Sequence, residues 1–354
     1  EKQASRKRPF LRAETRETLG NVHCPGDLPQ NFCVLSVDGS HIDVDRHLSA
    51  QCALINIGGC VIKYGVQSHA YLFNTPTLYS NEQLYLTEKK SSVTEVPIEG
   101  AVLGLKRTID EIKALEPLII EQTPSDIPTL ALLDGSLVLW GLSGRGYPDL
   151  VRDEIITRGL VPALDSLRAI SKTQCLSLAA YVSMPRNREV VNTLRLYLCE
   201  AGDAECSASC SNRSSPLAPC NMVNDLLDRD LFQSLLQPGQ RSSLFSTNSS
   251  IVREYRDHNI FFFYIHTGNE IARVEIPEWV ASNETLLSLT HVLILDQCER
   301  GLGYPVAISE AHQQAVITGR DRQRFRELVD MSLADRGLST FTSEKSLSKR
   351  MAWL

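Results

Sequence analysis

The amino-acid sequence predicts an α/β fold in which a mixed central sheet is flanked by helices. Short apolar runs that are typical of buried strands alternate with longer segments whose apolar residues recur at helical spacing. In addition, the sequence Asp-Gly-Ser follows two of these apolar runs, at residues 38–40 and 134–136. A polar, cysteine-rich segment at about residues 199–250 interrupts this pattern and is predicted to be an insertion.

The first part of the predicted domain is an antiparallel meander of three strands. The first strand covers residues 32–38. The next two cover residues 49–57 and 60–66, and Gly58-Gly59 between them is a hairpin signal. Residues 68–98 are polar with scattered aromatic residues, and they are expected to form weak strands or an extended excursion.

The middle of the chain alternates helices with strands. A helix is predicted from Glu99 to Glu121, because apolar residues recur there every three or four positions. The elements that follow are a strand at 129–133, a helix at 148–171, a strand at 175–182 and a helix at 188–198. Three strands followed by helix, strand, helix and strand is the order of RNase H-like folds, which predicts the fold by analogy but not an activity.

The C-terminal part adds a strand pair and more helices to this core. Strands are predicted at 259–266 and 270–276, joined by a turn at Gly268-Asn269, and helices at 283–299, 309–319 and 321–334. The predicted organisation is therefore an N-terminal arm at 1–30, one domain at 31–336 that contains the insertion, and a polar C-terminal tail at 337–354.

Composition limits the classes of function. The chain of 354 residues carries a formal net charge of −6 at pH 7, so nucleic acid would have to be held by a local basic groove. No apolar run is long enough to span a membrane, and the charged N-terminus has no apolar signal core. The protein is therefore expected to be cytoplasmic, and its ten cysteines to be thiols or metal ligands rather than disulfides.

The two Asp-Gly-Ser sequences are the strongest indication of chemistry. Asp38 and Asp134 each follow an apolar run, and two carboxylates at neighbouring strand ends can hold a hard divalent cation. The alternative is that Asp-Gly is simply a turn dipeptide. Alternating acidic and histidine residues follow the first of these sequences, where they are either metal ligands or a solvated face. They are His41, Asp43, Asp45 and His47.

Several short motifs resemble those of a known family, the NurA nucleases of DNA end processing, from about residue 31 to about residue 330. In order, these motifs are Val37-Asp38-Gly39-Ser40, Leu133-Asp134-Gly135-Ser136, Ala180-Tyr181-Val182-Ser183 with Pro185, Ala272-Arg273-Val274-Glu275-Ile276-Pro277, and Gly303-Tyr304-Pro305-Val306-Ala307-Ile308 with Ala311-His312. Each motif is short, and their order along the chain makes the resemblance specific.

The resemblance implies an RNase H-like, manganese-dependent deoxyribonuclease that degrades DNA from 5′ ends and cuts single strands during end resection and repair. It also implies a homodimer that associates with DNA in the nucleoid and pairs with the hexameric ATPase HerA.

The resemblance also assigns roles to residues of this chain. It places metal-binding carboxylates at Asp38 and Asp134, and a third acidic residue on the helix at 99–121. Glu111 fits the local pattern with Arg107, whereas Glu116 fits the spacing to Asp134 and lies where the apolar stripe of the helix would continue. Both remain candidates, and Glu116 is slightly favoured as the metal ligand, because a carboxylate at a core-facing position is costly unless it is paired or metal-bound. The late tyrosine and histidine of the family correspond to Tyr304 and His312, and His312 would ligate the metal or position the phosphate or water.

The chemistry of phosphodiester hydrolysis suits such a set of ligands. Two cations about 4 Å apart can activate a water, polarise the phosphate and stabilise the leaving oxygen. Carboxylates with one imidazole suit Mn²⁺ well and Mg²⁺ acceptably.

Arginines are the candidate DNA contacts. Arg273 is predicted either to contact phosphate or to pair with Glu275 or another neighbour. A basic patch lies around the last helix and includes the predicted DNA-binding residues Arg320 and Arg322, with Arg324 and Arg326.

Four cysteines in the insertion form a second distinctive feature. Cys199, Cys206, Cys210 and Cys220 could bind a structural zinc ion or an iron–sulfur cluster, although their spacing matches neither standard pattern. The alternatives are free thiols or regulated disulfides. The family pattern does not include them.

Two other functions remain open from the sequence. One is a non-catalytic module that binds DNA ends or an ATPase on the same fold. The other is a ribonuclease or an RNA-guided enzyme, which is disfavoured because no guide-binding domain is evident.

Overall fold

The computed structural model describes residues 11–15, 17–45, 50–87, 95–143, 146–198, 222–223 and 225–338. One large mixed sheet runs through this part of the chain, and helices cover both of its faces. The predicted α/β class with a central mixed sheet is therefore confirmed.

The strands are numbered in chain order. They are β1 (Ala13–Thr15), β2 (Val22–His23), β3 (Phe32–Ile42), β4 (Cys52–Tyr64), β5 (His69–Ser80), β6 (Tyr85–Thr87), β7 (Glu95–Pro97), β8 (Thr129–Asp134), β9 (Leu176–Val182), β10 (Arg241–Ser242), β11 (Phe245–Thr247), β12 (Ile260–His266) and β13 (Ile271–Pro277).

The helices of the described residues are numbered in the same way. They are α1 (Ala101–Gln122), α2 (Asp149–Arg152), α3 (Val161–Ser171), α4 (Glu189–Tyr197), α5 (Asp228–Leu235), α6 (Glu278–Ala281), α7 (Glu284–Arg300), α8 (Val306–Ala315) and α9 (Gly319–Asp335). A π-helical stretch, Asp153–Leu160, joins α2 to α3 without a break.

The middle of the sheet has the strand order that the sequence predicts. The five strands lie in the order β5-β4-β3-β8-β9. The pairs β5–β4 and β4–β3 are antiparallel, whereas β3–β8 and β8–β9 are parallel. Three antiparallel strands followed by two parallel ones, with a helix between β5 and β8, is the RNase H-like arrangement.

Beyond β9 the sheet continues antiparallel through β13, β12, β11 and β1. The strands β1 and β2, from the predicted N-terminal arm, therefore pair with β11 and β10. Those two partners come from the predicted insertion at 199–250, and within that insertion residues 199–221 and 224 lie outside the described residues. The four cysteines of the predicted zinc or iron–sulfur site are among them, so that site stays a prediction.

The predicted hairpin at Gly58-Gly59 is wrong, because both glycines lie inside the single strand β4. A Cβ atom at Gly58 would lie 2.2 Å from the backbone nitrogen of Ala315 in α8, and one at Gly59 would lie 2.6 Å from the ring of Phe73. The glycines allow neighbouring elements to approach closely, and they do not turn the chain. After residue 68, where the sequence predicts weak strands or an extended excursion, β5 pairs with β4 over twelve positions.

Alternate residues of the central strands pack against different layers. Leu35 and Val37 belong to a core that contains α1, the π-helical stretch and α3. Val34, Leu130 and Leu132 belong to the core on the opposite face, together with α7 and α8. This alternation decides which layer each side chain at the end of the sheet meets.

Candidate functional site

Asp38 and Asp134 lie side by side at one edge of the sheet. Their strands β3 and β8 are parallel neighbours, and the residues before the two aspartates, Val37 and Leu133, are paired in register. The predicted common end of the sheet is therefore what the structure shows. Asp134 is exposed and Asp38 is half-buried, so solvent reaches both carboxylates.

The first Asp-Gly-Ser sequence is not a turn, because β3 continues to Ile42. Instead, its three residues alternate between the two faces of the sheet. Asp38 and Ser40 meet α8, through His312 and the carbonyl oxygen of Ala315. Gly39 faces α1, where a Cβ atom would lie 2.6 Å from the Glu111 Oε1 and 2.8 Å from the Arg107 Cγ. Glycine at this position leaves room for the side chains of Glu111 and Arg107 against the sheet.

The second Asp-Gly-Ser sequence is a turn, as predicted. Gly135 follows Asp134 with a φ of +86°, in the region that favours glycine. Its backbone N–H donates to the carbonyl of Tyr181 on β9. The turn thus begins immediately after Asp134 and leaves that side chain at the edge of the sheet.

His312 contacts Asp38 directly. Its Nδ1 lies 2.8 Å from the Asp38 Oδ2, and 65% of the His312 side chain is exposed. The last turn of α8 is fixed to β3 and β4, because the Ala315 carbonyl accepts hydrogen bonds from the Ser40 hydroxyl and the Asn56 amide at 2.5 Å and 2.9 Å. The position of His312 therefore follows from the packing of α8 on the sheet.

Tyr304 contacts the other aspartate. Its hydroxyl donates a hydrogen bond of 2.9 Å to the Asp134 Oδ1. Its ring packs edge-on against Tyr181, with 5.7 Å between the ring centroids. Burial and the neighbouring carboxylate of Asp134 raise the pKa of Tyr304, so its hydroxyl remains a proton donor at neutral pH.

Glu111 is the candidate helix residue that packs against β3 beside Gly39, the residue after Asp38. Burial raises the pKa of Glu111 to about 8; Arg107 opposes this shift, and the charges of Asp38, Asp110 and Asp134 add to it. Among the described residues, its buried Oε1 finds no hydrogen-bond partner, although the Arg107 Nε lies 3.1 Å away.

Glu116, the other candidate, is half-exposed and lies five residues further along α1, which is about 7.5 Å of helix rise. No hydrogen bond or ion pair joins it to either aspartate in the described part of the chain. The geometry therefore favours Glu111 as the third acidic residue of the site.

The predicted phosphate contact of Arg273 is wrong, and its ion-pair alternative describes the structure. The side chain is fully buried and pairs with Glu275 and Glu189 at 2.8 Å and 2.9 Å. Its guanidinium also stacks on the ring of Phe262 at 3.5 Å. No DNA phosphate can reach it in this position.

The basic residues of α9 are on the surface, as the predicted DNA contacts require. Arg320 and Arg322 are both exposed. Burial lowers the pKa of His41; the charges of Arg107 and Arg322 add to this shift, and Asp43 opposes it. Arg326 pairs with Asp45 at 3.1 Å.

Among the candidates after Asp38, those that the structure describes do not form a ligand cluster. Asp43 accepts hydrogen bonds from the backbone N–H groups of Val44 and Gly100, so it supports the start of α1. His41 continues β3, Asp45 pairs with α9, and His47 lies outside the described residues.

The donor set has the chemistry of a site for a divalent cation. Three carboxylates and one imidazole suit Mn²⁺ or Mg²⁺, and the Glu111 Oε1, which accepts no hydrogen bond within the described residues, is an oxygen that a cation could bind. Within the described residues, however, no three such side chains converge as a ready-made metal site. Asp38 and Asp134 instead make hydrogen bonds to His312 and Tyr304.

Comparison with known proteins identifies the family. The model of the NurA domain matches residues 33–317, which is most of the chain. The protein belongs to the NurA family. The family assignment made from the short motifs is therefore confirmed, and the matched region contains Asp38, Glu111, Asp134, Tyr304 and His312.

Solved NurA structures resemble this chain only distantly. The NurA nuclease from Sulfolobus solfataricus is 12% identical with a TM-score of 0.49, over 89% of this chain and 88% of that one. A NurA structure with bound dAMP and manganese is 10% identical with a TM-score of 0.40, over 88% and 89% of the two chains. No curated protein sequence matches the chain.

Two glutamates of the NurA domain lie behind the site, and their contacts with it were not predicted, although Glu275 was predicted as a possible partner of Arg273. Glu275 accepts hydrogen bonds from Ser136 and Leu137, and Glu270 accepts them from Tyr181 and Ser183. Glu275 was within a recognised motif, but its partners are far away in sequence. Only the pairing of β13 with β9 reveals those contacts.

No helix in the described part of the chain is long and apolar enough to cross a membrane.

Proposed function

We propose that this NurA-family protein is a metal-dependent deoxyribonuclease that hydrolyses phosphodiester bonds. The observation that carries the proposal is that Asp38 and Asp134 lie side by side at one solvent-accessible edge of the sheet, with their charges acting on the buried carboxyl group of Glu111. Mutual repulsion among three carboxylates is costly, and it contributes to the raised pKa of Glu111. A site that concentrates such charge is suited to a cation and a phosphate.

Each side chain would have its own role in such a site. Asp38, Asp134 and Glu111 would hold one or two Mn²⁺ or Mg²⁺ ions, and His312 would serve as a further ligand or position the phosphate. When bound, these cations polarise the phosphate and lower the pKa of the attacking water. Tyr304 donates a hydrogen bond to Asp134 and so fixes the direction of that carboxylate.

The test compares aspartate variants in a cleavage assay. Linear single- and double-stranded DNA, labelled at the 5′ or the 3′ end, is incubated with Mn²⁺, with Mg²⁺ or with EDTA. Asp38→Asn and Asp134→Asn are expected to lose at least a hundredfold in rate, whereas Asp126→Asn, a variant of an exposed aspartate before β8, retains it.

The same assay decides between this function and the alternatives. Full activity in both aspartate variants would contradict the proposal. Binding of DNA without cleavage under any divalent cation would indicate a non-catalytic DNA-end module, and cleavage of RNA alone would indicate a ribonuclease.

We further propose that digestion proceeds 5′ to 3′ with additional endonuclease activity on single strands, during end resection and repair. We also propose that the protein forms a homodimer and acts on DNA together with a HerA-type hexameric ATPase. Release of label from 5′ ends before 3′ ends, a dimer mass in solution and stimulation by such an ATPase are the expected results.

A further inference from the structure

A buried ion-pair cluster lies behind the Asp134 turn. Arg273, in β13, is fully buried and lies between two carboxylates that are also buried. Its Nε lies 2.8 Å from the Glu275 Oε1, and its Nη1 lies 2.9 Å from the Glu189 Oε1 at the start of α4.

Only one of the two carboxylates reaches the turn. The Glu275 Oε2 accepts a hydrogen bond of 2.7 Å from the Ser136 hydroxyl and one of 2.9 Å from the backbone N–H of Leu137. The Glu189 Oε2 instead accepts from the Thr247 hydroxyl on β11, on the other side of the cluster. Glu275 therefore connects β13 to the loop that follows β8.

The sheet explains how Glu275 spans this distance. Glu275 is paired in register with Ala180 of β9, and Ala180 is paired with Leu133 of β8. The three positions form one row across three strands, on the same face of the sheet. The small side chain of Ala180 leaves room for Glu275 to pass over β9 toward the turn.

The Ser136 hydroxyl links Glu275 to the residues that follow it in the loop. Besides donating to Glu275, its hydroxyl accepts hydrogen bonds from the backbone N–H of Val138 at 3.1 Å and from the Trp140 Nε1 at 3.0 Å. The contact with Glu275 thus fixes the residues that follow Asp134, while the Gly135 N–H bonded to Tyr181 fixes the point where the turn begins.

Stability alone gives little reason for this cluster. A buried ion pair can often be replaced by apolar residues at no loss of stability, because the desolvation of two charges offsets their attraction. What an apolar pair cannot do is accept hydrogen bonds from Ser136 and Leu137. The ion pair with Arg273 stabilises the charged Glu275 carboxylate in the interior of the protein, in the orientation that accepts these hydrogen bonds.

We propose that the Arg273–Glu275 pair is a positioning device that holds the Asp134–Gly135–Ser136 turn, so that the Asp134 carboxylate stays beside Asp38. For its consequence on metal binding, this inference rests on the proposed function. Glu275 and Arg273 are positioning residues, since neither of them reaches the edge of the sheet where substrate would bind.

The chain provides a matched control for this idea. Glu189→Gln and Glu275→Gln each remove one carboxylate charge next to Arg273 in an equally buried place. Only Glu275→Gln also disturbs the turn, because the amide cannot present an acceptor both to Arg273 and to Ser136. At the turn itself, Ser136→Ala removes the hydroxyl and Ser136→Thr retains it.

The experiment first measures the order of the turn and then the affinity for metal. Hydrogen–deuterium exchange of a peptide that spans residues 135–142 reports the order of the turn without metal. Titration with Mn²⁺, followed by electron paramagnetic resonance, reports affinity without turnover. Thermal melting of each full-length variant confirms that it is folded.

Glu275→Gln and Ser136→Ala are expected to speed exchange in this peptide at least tenfold and to raise the Kd for Mn²⁺ about tenfold, the usual effect of removing a group that orients a metal ligand. Cleavage should recover as Mn²⁺ is raised. Glu189→Gln and Ser136→Thr should match the wild type in both measurements.

The outcomes separate this inference from the proposed function. If Glu275→Gln and Glu189→Gln show the same exchange and the same Mn²⁺ affinity, the positioning role is refuted, even where the wild type cleaves DNA. If the wild type neither binds Mn²⁺ nor cleaves DNA, but Glu275→Gln alone loosens the turn, the positioning role stands and the nuclease proposal fails.

Discussion

At the scale of single residues, the site is defined by what each carboxylate contacts. Asp38 and Asp134 have hydrogen-bonding partners on the α8 side of the sheet, His312 and Tyr304. Glu111 approaches from the opposite side, past Gly39, and pairs with Arg107 at 3.1 Å. Because burial raises the pKa of Glu111 to about 8, a bound cation would favour the ionised form of this carboxyl group.

Glu111→Gln is expected to abolish metal-stimulated cleavage, because the amide cannot lose a proton and become the anionic ligand that a cation would bind. The cost to folding should be small, since burial raises the pKa of Glu111 to about 8 and the neutral amide replaces a carboxyl group that is mostly neutral at pH 7. The measurement is the rate against Mn²⁺ concentration, together with thermal melting.

Glu116→Gln, on the same helix and half-exposed, is the matched control and should retain the wild-type rate. The reverse result, with Glu116→Gln inactive and Glu111→Gln active, would transfer the role of the helix acid to Glu116.

Tyr304→Phe tests the hydrogen bond to Asp134. The change removes the donor but keeps the ring that packs against Tyr181. A hydrogen bond to a charged group contributes about 1.5–3 kcal/mol, so the rate should fall about ten- to a hundredfold. Tyr71→Phe, on the exposed strand β5, serves as the control. An unchanged rate in Tyr304→Phe would show that this contact is dispensable.

Prediction from the sequence was most successful for residues within recognisable motifs. Asp38, Asp134, Tyr304 and His312 were found because the motifs resemble the family, and the structure brings them together in two pairs. Arg273 belongs to an equally clear motif, yet its role as a DNA contact was wrong. A motif does not show whether a side chain faces solvent or a buried carboxylate from another strand.

At the scale of elements, the close approach of α8 to β4 fixes the position of His312. The backbone of α8 lies so near Gly58 that no side chain fits between them. The sequence could not show this, because two consecutive glycines are equally typical of a hairpin and of a strand crossed closely by another backbone. The distinction depends on a helix more than 250 residues away.

Gly58→Ala is expected to destabilise the protein by about 1–3 kcal/mol, as is usual for an overpacked core. The added Cβ would lie 2.2 Å from the Ala315 nitrogen, so α8 must move, and cleavage should fall because His312 moves with it. Denaturant unfolding and the cleavage assay measure the two effects.

Gly104→Ala in α1 is the opposite control, since nothing lies within 4 Å of its added Cβ. Alanine inside a helix should stabilise this variant by about 0.5–1 kcal/mol. If Gly58→Ala proved as stable and as active as the wild type, α8 would not be positioned by this contact.

At the scale of the whole molecule, the order of the central strands could be predicted, whereas the extent of the sheet could not. Short apolar runs were sufficient for β3, β8 and β9. The outer strands β1, β10 and β11 have only two or three residues each, too few for any periodic signal. They are held by pairing between segments that are more than 200 residues apart.

The outer half of the sheet also buries a titratable group that links folding to pH. His291, on α7, is 2% exposed, and its Nε2 lies 2.9 Å from the Gly239 carbonyl oxygen. Burial lowers the pKa of His291 to about 4; the bond to Gly239 opposes this shift, and the nearby charges of Arg241 and His23 add to it.

Since the folded-state pKa lies below the ordinary value of 6.5, the unfolded chain binds the proton first as the pH falls. The stability that the neutral imidazole contributes is therefore complete above pH 6.5. By pH 4 the free energy of unfolding should have fallen by about 3 kcal/mol because of this residue.

His291→Gln isolates this effect, because the amide can still donate to Gly239 but does not titrate. Denaturant unfolding from pH 7 to pH 4 measures the free energy of unfolding of both proteins. Over this range, that of the wild type should fall by about 3 kcal/mol more than that of the variant. The free energy of unfolding of the exposed His69→Gln variant should change with pH as that of the wild type does. If the His291→Gln variant also changes with pH as the wild type does, then His291 does not titrate differently in the folded and the unfolded chain.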